Sequence, residues 1–261
     1  MDLSLIGKRA LVCGSTQGIG KASAIELAQL GATVTLLARD ENKLKSTLRE
    51  LPTNERQKHD FIIADFSFPD QVKAAIQKFV SSNEVHILVN NTGGPPAGQA
   101  IDATPEDFLQ AMNEHLICSQ ILVQACLPSM KKNNFGRIIN IISTSVKIPI
   151  KGLGVSNTVR GAMASWSKTL SLELAPFGIT VNNVLPGSTK TGRIESLIQT
   201  RSQKSGRTPE EIRQDMIDEI PAGRMAESSE IAAAVAFLAS PAASYINGVS
   251  LPVDGGRTGS L

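Results

Sequence analysis

Seven residues that follow the first apolar run, Gly14-Ser15-Thr16-Gln17-Gly18-Ile19-Gly20, have the make-up of a phosphate cradle. A glycine-rich turn between a strand and a helix lets the backbone come close to a pyrophosphate, whose charge the free N–H groups and the positive helix end stabilise. The spacing is G-x-x-x-G-x-G, and a glycine turn also arises for purely steric reasons. Here an apolar strand precedes it and a helical pattern follows at Ile19, Ala22, Ile25, Leu27 and Leu30, the context that points to a dinucleotide. A carboxylate about 20 residues beyond such a turn binds the ribose 2′-hydroxyl of NAD, and a cation there binds the 2′-phosphate of NADP. This chain has Ala38-Arg39. Asp40 comes next, but at the head of Asp-Glu-Asn-Lys-Leu it is more simply a helix N-cap. An exposed arginine is equally ordinary surface, yet with no carboxylate at position 38 the pair favours NADP(H) over NAD(H).

The elements that must hold these residues alternate along the whole chain, short apolar runs with longer helical patterns, as in βαβ units feeding a parallel sheet. Strands are predicted at Arg9–Cys13, Thr33–Leu37, Phe61–Ala64, His86–Asn90, Arg137–Ser143, Ile179–Leu185 and Val249–Val253. Runs apolar on both faces call for helices on both sides of the sheet. Thr104-Pro105-Glu106-Asp107 supplies a hydroxyl cap, a first-turn proline and acids, and opens a helix toward Met130. Gly178 closes a second helix from about Ser156 to Phe177. The more polar stretch Gly192–Gly223 breaks the rhythm, restarts at Thr208-Pro209-Glu210-Glu211, and is expected to form a substrate lid. The expected fold is a doubly wound, Rossmann-type α/β sheet of about seven strands in one domain over residues 1–261.

Composition narrows the function further. Among 261 residues, 26 Lys and Arg face 24 Asp and Glu, so neither a nucleic-acid tail nor a polybasic membrane patch is expected. Cys13, Cys118 and Cys126 form no C-x-x-C pair, and His59, His86 and His115 lack ligand spacing, so neither a disulfide framework nor a metal site is expected. The amino terminus has no apolar signal core and the run from Ala232 is too short to span a bilayer; the expected location is the cytoplasm. The composition has one unusual feature, a single tyrosine, Tyr245.

Several motifs coincide in order: GSTQGIG after the first strand, Asp65 after the third, NNTG at 90–93 after the fourth, Pro186-Gly187 after the sixth, and VDGG at 253–256. Over essentially the whole chain this resembles the short-chain dehydrogenase/reductase superfamily, closest in layout to β-ketoacyl-acyl carrier protein reductases. The resemblance implies that Asp65 contacts adenine with Phe66 beside it. It places Asn91, Thr92 and Gly93 under the cofactor, although Thr92 stands where the family most often has alanine. Pro186, Gly187, Thr189 and Thr191 would line the nicotinamide carboxamide and phosphate; read locally, they are turn and capping residues.

At the catalytic positions the chain departs from the pattern. The family uses a serine after the fifth strand, a Tyr-x-x-x-Lys that begins thirteen residues later, and an asparagine on the preceding helix. Here they fall on Ser143, Ser156, Arg160 and His115. The ungapped match through SLELAPFGITVN pins that register, and Tyr245 is followed at the fourth position by Val249. A serine hydroxyl ionises far above tyrosine, whose reference pKa is about 10, and a positioned acid or base contributes about 10²–10⁴-fold. Arg160 keeps the positive charge, and can hold ribose hydroxyls or polarise an oxygen, but hardly gives up its proton. His115 is either an acid–base group or a helix histidine satisfying a neighbouring carbonyl.

Two readings stand at this point. One is an NADP(H)-dependent oxidoreductase acting on a small-molecule or acyl-thioester carbonyl, with Ser143, Ser156 and Arg160 orienting the oxygen and water or His115 carrying the proton. The other is an NADP(H)-binding sensor or assembly protein with little or no turnover. The resemblance also implies a homodimer or homotetramer paired through the helices that begin near Thr104 and Ser156.

Overall fold

Side chains alternate along the first strand: Ala10 and Val12 enter one core, Leu11 and Cys13 the other, and all four are inaccessible to solvent. Burial on both faces requires helices on both faces, which the chain supplies. The structure is a computed structural model and describes residues 1–54 and 57–260. In chain order it contains β1 (Arg9–Cys13), α1 (Gly18–Gln29), β2 (Thr33–Ala38), α2 (Glu41–Glu50), β3 (Asp60–Ile63), α3 (Pro69–Val80) and β4 (Ile87–Asn90). There follow α4 (Pro105–Met112), α5 (Cys118–Lys132), β5 (Gly136–Ile141), α6 (Gly154–Leu174), β6 (Ile179–Pro186), α7 (Gly192–Ser205), α8 (Pro209–Asp218), α9 (Ser228–Ala239) and β7 (Ser250–Val253).

The strands form one parallel sheet in the order β3-β2-β1-β4-β5-β6-β7. The order reverses between β1 and β4, and at such a switch point the loops leaving the strand ends diverge and open a crevice. One core joins β1, β2 and β5 to α1, α2 and α9 through Ala24, Leu27, Leu44, Ile231 and Val235. The opposite core joins the sheet to α3, α5 and the end of α6 through Val72, Ile76, Leu122, Met130 and Leu174. Among the described residues, no helix is long and apolar enough to cross a membrane.

Every predicted strand forms, with ends displaced by at most two residues. The largest displacement matters most: β5 ends at Ile141, so Ser143 has left the sheet and caps a short 3₁₀ turn, Thr144–Val146, by accepting from Ser145 N–H at 3.1 Å. Asp40 caps α2 as its position suggested, accepting from Lys43 N–H. The predicted starts at Thr104 and Thr208 are both complete capping boxes, closed by Asp107 and Glu211. Gly178, at φ +68°, ends the run beyond α6 in the left-handed region, with Asn134 O packed where a Cβ would stand.

Two features lay outside the sequence expectation. The helix from Thr104 is not uniform: between α4 and α5, Asn113–Ile117 widens into a π-helical turn that contains His115. Beneath the crevice, paired positions of β4, β5, β6 and β7 carry a ladder of buried polar side chains. Asn90 donates to Asn140 at 2.8 Å, Asn140 to Asn183 at 3.1 Å, and Asn183 to Ser250 at 3.1 Å, while Asn140 also donates to Ser167 of α6. Buried amides are costly unless bonded, so the ladder locks the register of the strands whose ends build the site.

Candidate active site

A cavity of about 530 Å³ runs over the carboxyl ends of the strands, from Arg39 and Asp65 at one end, across the β1 turn, to Ser143, Ser156 and Arg160 at the other. Its central wall is the glycine turn. Gly14 and Gly18 have φ of +56° and +53°, which a side chain would resist. A Cβ on Gly20 would lie 2.2 Å from Gly14 O, so α1 can approach the turn this closely only through glycine. At the start of α1, Gln17 makes no side-chain cap and the first turn holds no acid. Its N–H groups and dipole are therefore left for an anion.

Ser15 and Gly20 stand behind this wall. Ser15 is fully buried, its Oγ accepting from Leu37 N–H at 3.1 Å and donating to Leu37 O at 3.4 Å, which pins the turn to β2. Asn91 plays the matching part from β4 by donating to Cys13 O and Gly14 O, both at 3.2 Å. Thr16, Gln17, Gly18, Ile19, Asn91, Thr92 and Gly93 all line the cavity. A Cβ on Gly93 would meet nothing within 4 Å, so the space above it is open.

At the far end, Arg39 projects with its side chain 75% exposed and its Nη1 3.7 Å from Asp65 Oδ2. Phe66 lies beside them in the wall. At the opposite end, Pro186, Gly187, Thr189 and Thr191 extend the wall from β6. Thr191 also caps α7, accepting from Ile194 N–H. Gly187 is held against Asp254 of the VDGG motif, leaving less than 3 Å for a Cβ. The donor set along this crevice fits a dinucleotide: a bare helix end and glycine turn at its middle, an exposed guanidinium at one end and hydroxyls at the other.

The residues singled out for chemistry meet at that second end. Ser143, Ser156 and Arg160 line the cavity, while His115 is buried behind it. Arg160 is 8% exposed and donates from Nη1 to Ile141 O, the last residue of β5, at 2.9 Å. Burial first, then the neighbouring Arg193, lowers its pKa to about 10, which leaves it charged at neutral pH. His115 Nδ1 is hydrogen-bonded to Thr92 Oγ1, and its Nε2 is buried with no partner among the described residues. Desolvation, followed by repulsion from Arg160 and Arg193, pushes its pKa to about 2, so the imidazole is neutral.

Sequence reasoning missed Arg193, in the first turn of α7. Its Nη2 donates to Pro95 O and its guanidinium lies over Gly94, tying the 192–223 segment to the loop after β4. The visible signal was a cation two residues beyond Thr191. What could not be read was that the nearby Glu195 pairs with Arg213 of α8. The segment itself is two helices, α7 and α8, closed on a small core of Ile194, Ile198, Ile212, Met216, Ile220 and Met225. Among the described residues, no group of three His, Cys, Asp or Glu side chains is gathered to hold a metal ion.

Fold and crevice together define a doubly wound protein of the nucleotide-binding class. Residues 14–258 match the family model described as Enoyl-(Acyl carrier protein) reductase, and the chain belongs to the short-chain dehydrogenase/reductase superfamily of oxidoreductases. It is 35% identical over 251 residues to the 3-oxoacyl-(acyl-carrier-protein) reductase FabG of Haemophilus influenzae, covering 96% of this chain and 98% of that one. The structure of L-sorbose reductase from Gluconobacter frateurii, complexed with NADPH and L-sorbose, superposes with a TM-score of 0.93 at 29% identity and full coverage of both chains. A gluconate 5-dehydrogenase from Burkholderia cenocepacia, in complex with NADP and tartrate, does so with a TM-score of 0.88 at 30% identity, covering 100% of this chain and 98% of that one.

Proposed function

We propose that this protein is an NADP(H)-dependent oxidoreductase that transfers hydride between the nicotinamide and a carbonyl or alcohol substrate, through a site without the family's tyrosine and lysine. One observation carries the reading: a buried, charged Arg160 is fixed to the end of β5 in the cavity wall that also holds Ser143 and Ser156. Burying a guanidinium without a carboxylate partner is costly, and an oxygen that gains negative charge beside it offsets that cost.

The glycine turn Gly14–Gly20 and the start of α1 would hold the pyrophosphate. Arg39 would hold the 2′-phosphate, since no carboxylate stands at position 38, and Asp65 with Phe66 the adenine. Asn91, Thr92 and Gly93 would floor the ribose, with Pro186, Gly187, Thr189 and Thr191 around the carboxamide. When bound, the nicotinamide supplies or accepts the hydride. Ser143 and Ser156 present hydroxyls to the substrate oxygen, and Arg160 stabilises negative charge as it develops there. At a pKa of about 10 Arg160 remains charged throughout and acts as a fixed electrophile. His115, neutral and bonded to Thr92, is a positioning residue that holds the floor of the site, and the proton at the substrate oxygen comes from water. Helices α7 and α8 form a substrate lid, latched through Arg193 to Pro95.

Titration of the purified protein with NADPH and NADH tests the cofactor reading. NADPH consumption with ketones, quinones and β-ketoacyl thioesters tests the reaction. Tighter binding of NADPH and turnover of at least one class are the expected outcomes. Binding without turnover would instead select the sensor reading. The same proposal includes a homodimer or homotetramer, supported by apolar side chains exposed at Leu109 of α4, Leu172 of α6 and Leu251 of β7. Sedimentation at micromolar concentration is expected to show such an assembly, and a monomer would overturn this part.

A further inference from the structure

The cavity's charges do not balance at its reactive end. Its acids are engaged by other groups: Asp65 pairs with Arg39, Glu219 with Arg257, and Glu114 accepts from Ser67 and Gln110 beside the adenine end. Among the described residues, Arg160 and Arg193 have no carboxylate partner within ion-pair distance, yet Arg160 is buried and Arg193 half-buried. Burial and the charge of Arg193 lower the pKa of Arg160, burial alone lowers that of Arg193, and burial followed by both arginines lowers that of His115, with no carboxylate acting in the opposite direction among the described residues. A buried and a half-buried guanidinium that line one cavity without a carboxylate partner favour an anion that arrives with a ligand.

Arg193 is also oriented. The bond from Nη2 to Pro95 O uses one of its five N–H groups, and Gly94 permits the guanidinium to lie flat, since a Cβ there would come within 3.2 Å of Nε and Nη2. The Nη1 edge is left with no partner among the described residues. A planar fork with one edge fixed matches a carboxylate, and its place over Gly94, within electrostatic reach of Arg160, is the hydride end of the cavity.

We propose that the substrate is a carbonyl compound bearing a carboxylate, and that Arg193 is the specificity-determining residue that receives it while Arg160 faces the reacting oxygen. This deepens the oxidoreductase reading and rests on it. The oxo acid is held from the lid side, so the carboxylate itself completes the latch between α7 and the loop after β4.

Matched probes test the inference: 2-oxo-4-phenylbutanoate, levulinate and 3-oxohexanoate, each against its methyl ester, at saturating NADPH. The expected result is a kcat/KM at least 10-fold higher for an acid than for its ester, falling with added salt. In Arg193→Gln that preference drops by about 10- to 100-fold, the loss of one charge-assisted contact, while the Kd for NADPH stays within about 2-fold and Arg193→Lys recovers part of the preference. A second measurement does not require turnover: calorimetric binding of 2-hydroxy-4-phenylbutanoate to the protein–NADPH complex, expected in wild type and lost in Arg193→Gln. Acid binding without turnover of any probe would refute the oxidoreductase reading and leave the anion site standing. Equal use of acids and esters would refute the anion site and leave the oxidoreductase standing. An Arg193→Gln protein that chiefly loses NADPH affinity would also overturn the inference, because Arg193 would then serve the cofactor phosphates.

Discussion

Replacing His115 by asparagine isolates one titration and measures whether this histidine can serve as an acid. In the folded protein its pKa is pushed from the ordinary 6.5 to about 2 by burial and by Arg160 and Arg193. In the unfolded chain it returns to about 6.5. Between these values the unfolded state binds one more proton than the folded state, so stability is complete above about pH 6.5 and falls as the pH drops below it. Each unit contributes about 1.4 kcal/mol, so the loss between about pH 7 and pH 4.5 is roughly 2.6 kcal/mol, half of it by about pH 5.5. All other groups are common to the two proteins and cancel in the difference. Urea unfolding of wild type and His115→Asn, at equal protein concentration and without nucleotide, should show the variant gaining about that much relative stability across the range. A difference that stays constant within about 0.5 kcal/mol would show that His115 is protonated normally in the folded state. The assignment of the proton to water would then fail with it. The matching kinetic expectation is a kcat/KM profile with no limb near pH 6.5.

Three further outcomes follow from the same geometry. Arg39→Ala should weaken NADPH binding by about 10- to 100-fold, the worth of a charged contact to phosphate, and leave NADH unchanged; equal losses for both would remove Arg39 from the cofactor site. Restoring the family pair with Ser156→Tyr and Arg160→Lys should raise carbonyl reduction by about 10²-fold, the lower end for a positioned acid. No gain with NADPH binding retained would mean that the wall around position 156 no longer presents the substrate. Leu172→Glu, which puts a charge on an exposed apolar position of α6, should shift sedimentation toward smaller species, and an unchanged assembly would place the interface elsewhere.

The fold was legible because its signals are local. Short runs buried on both faces, two capping boxes and Gly178 depend on a few neighbouring residues each, and all appear at the positions that sequence patterns assign. The crevice was legible for the same reason, since Gly14, Gly18 and Gly20 are required by backbone conformation and close approach. The reactive end was legible only in outline. Ser143, Ser156 and Arg160 could be placed by spacing, but the neutrality of His115 depends on its burial and then on Arg160 and Arg193, which come from two other parts of the chain. Arg193 was hidden because its meaning lies in the partners of others: Glu195 is taken by Arg213, and Asp65 by Arg39. The amide ladder from Asn90 to Ser250 likewise exists only once the strand order is known.

The most direct test of the account is kcat for carbonyl reduction in wild type and Arg160→Met, at saturating NADPH and with binding of the nucleotide verified in both. Removing a preorganised electrophile costs about 10²–10³-fold, and the account predicts turnover in wild type and a loss of that order in the variant. Turnover unchanged by the loss of Arg160, or a wild-type protein that binds NADPH and reduces nothing, would contradict it.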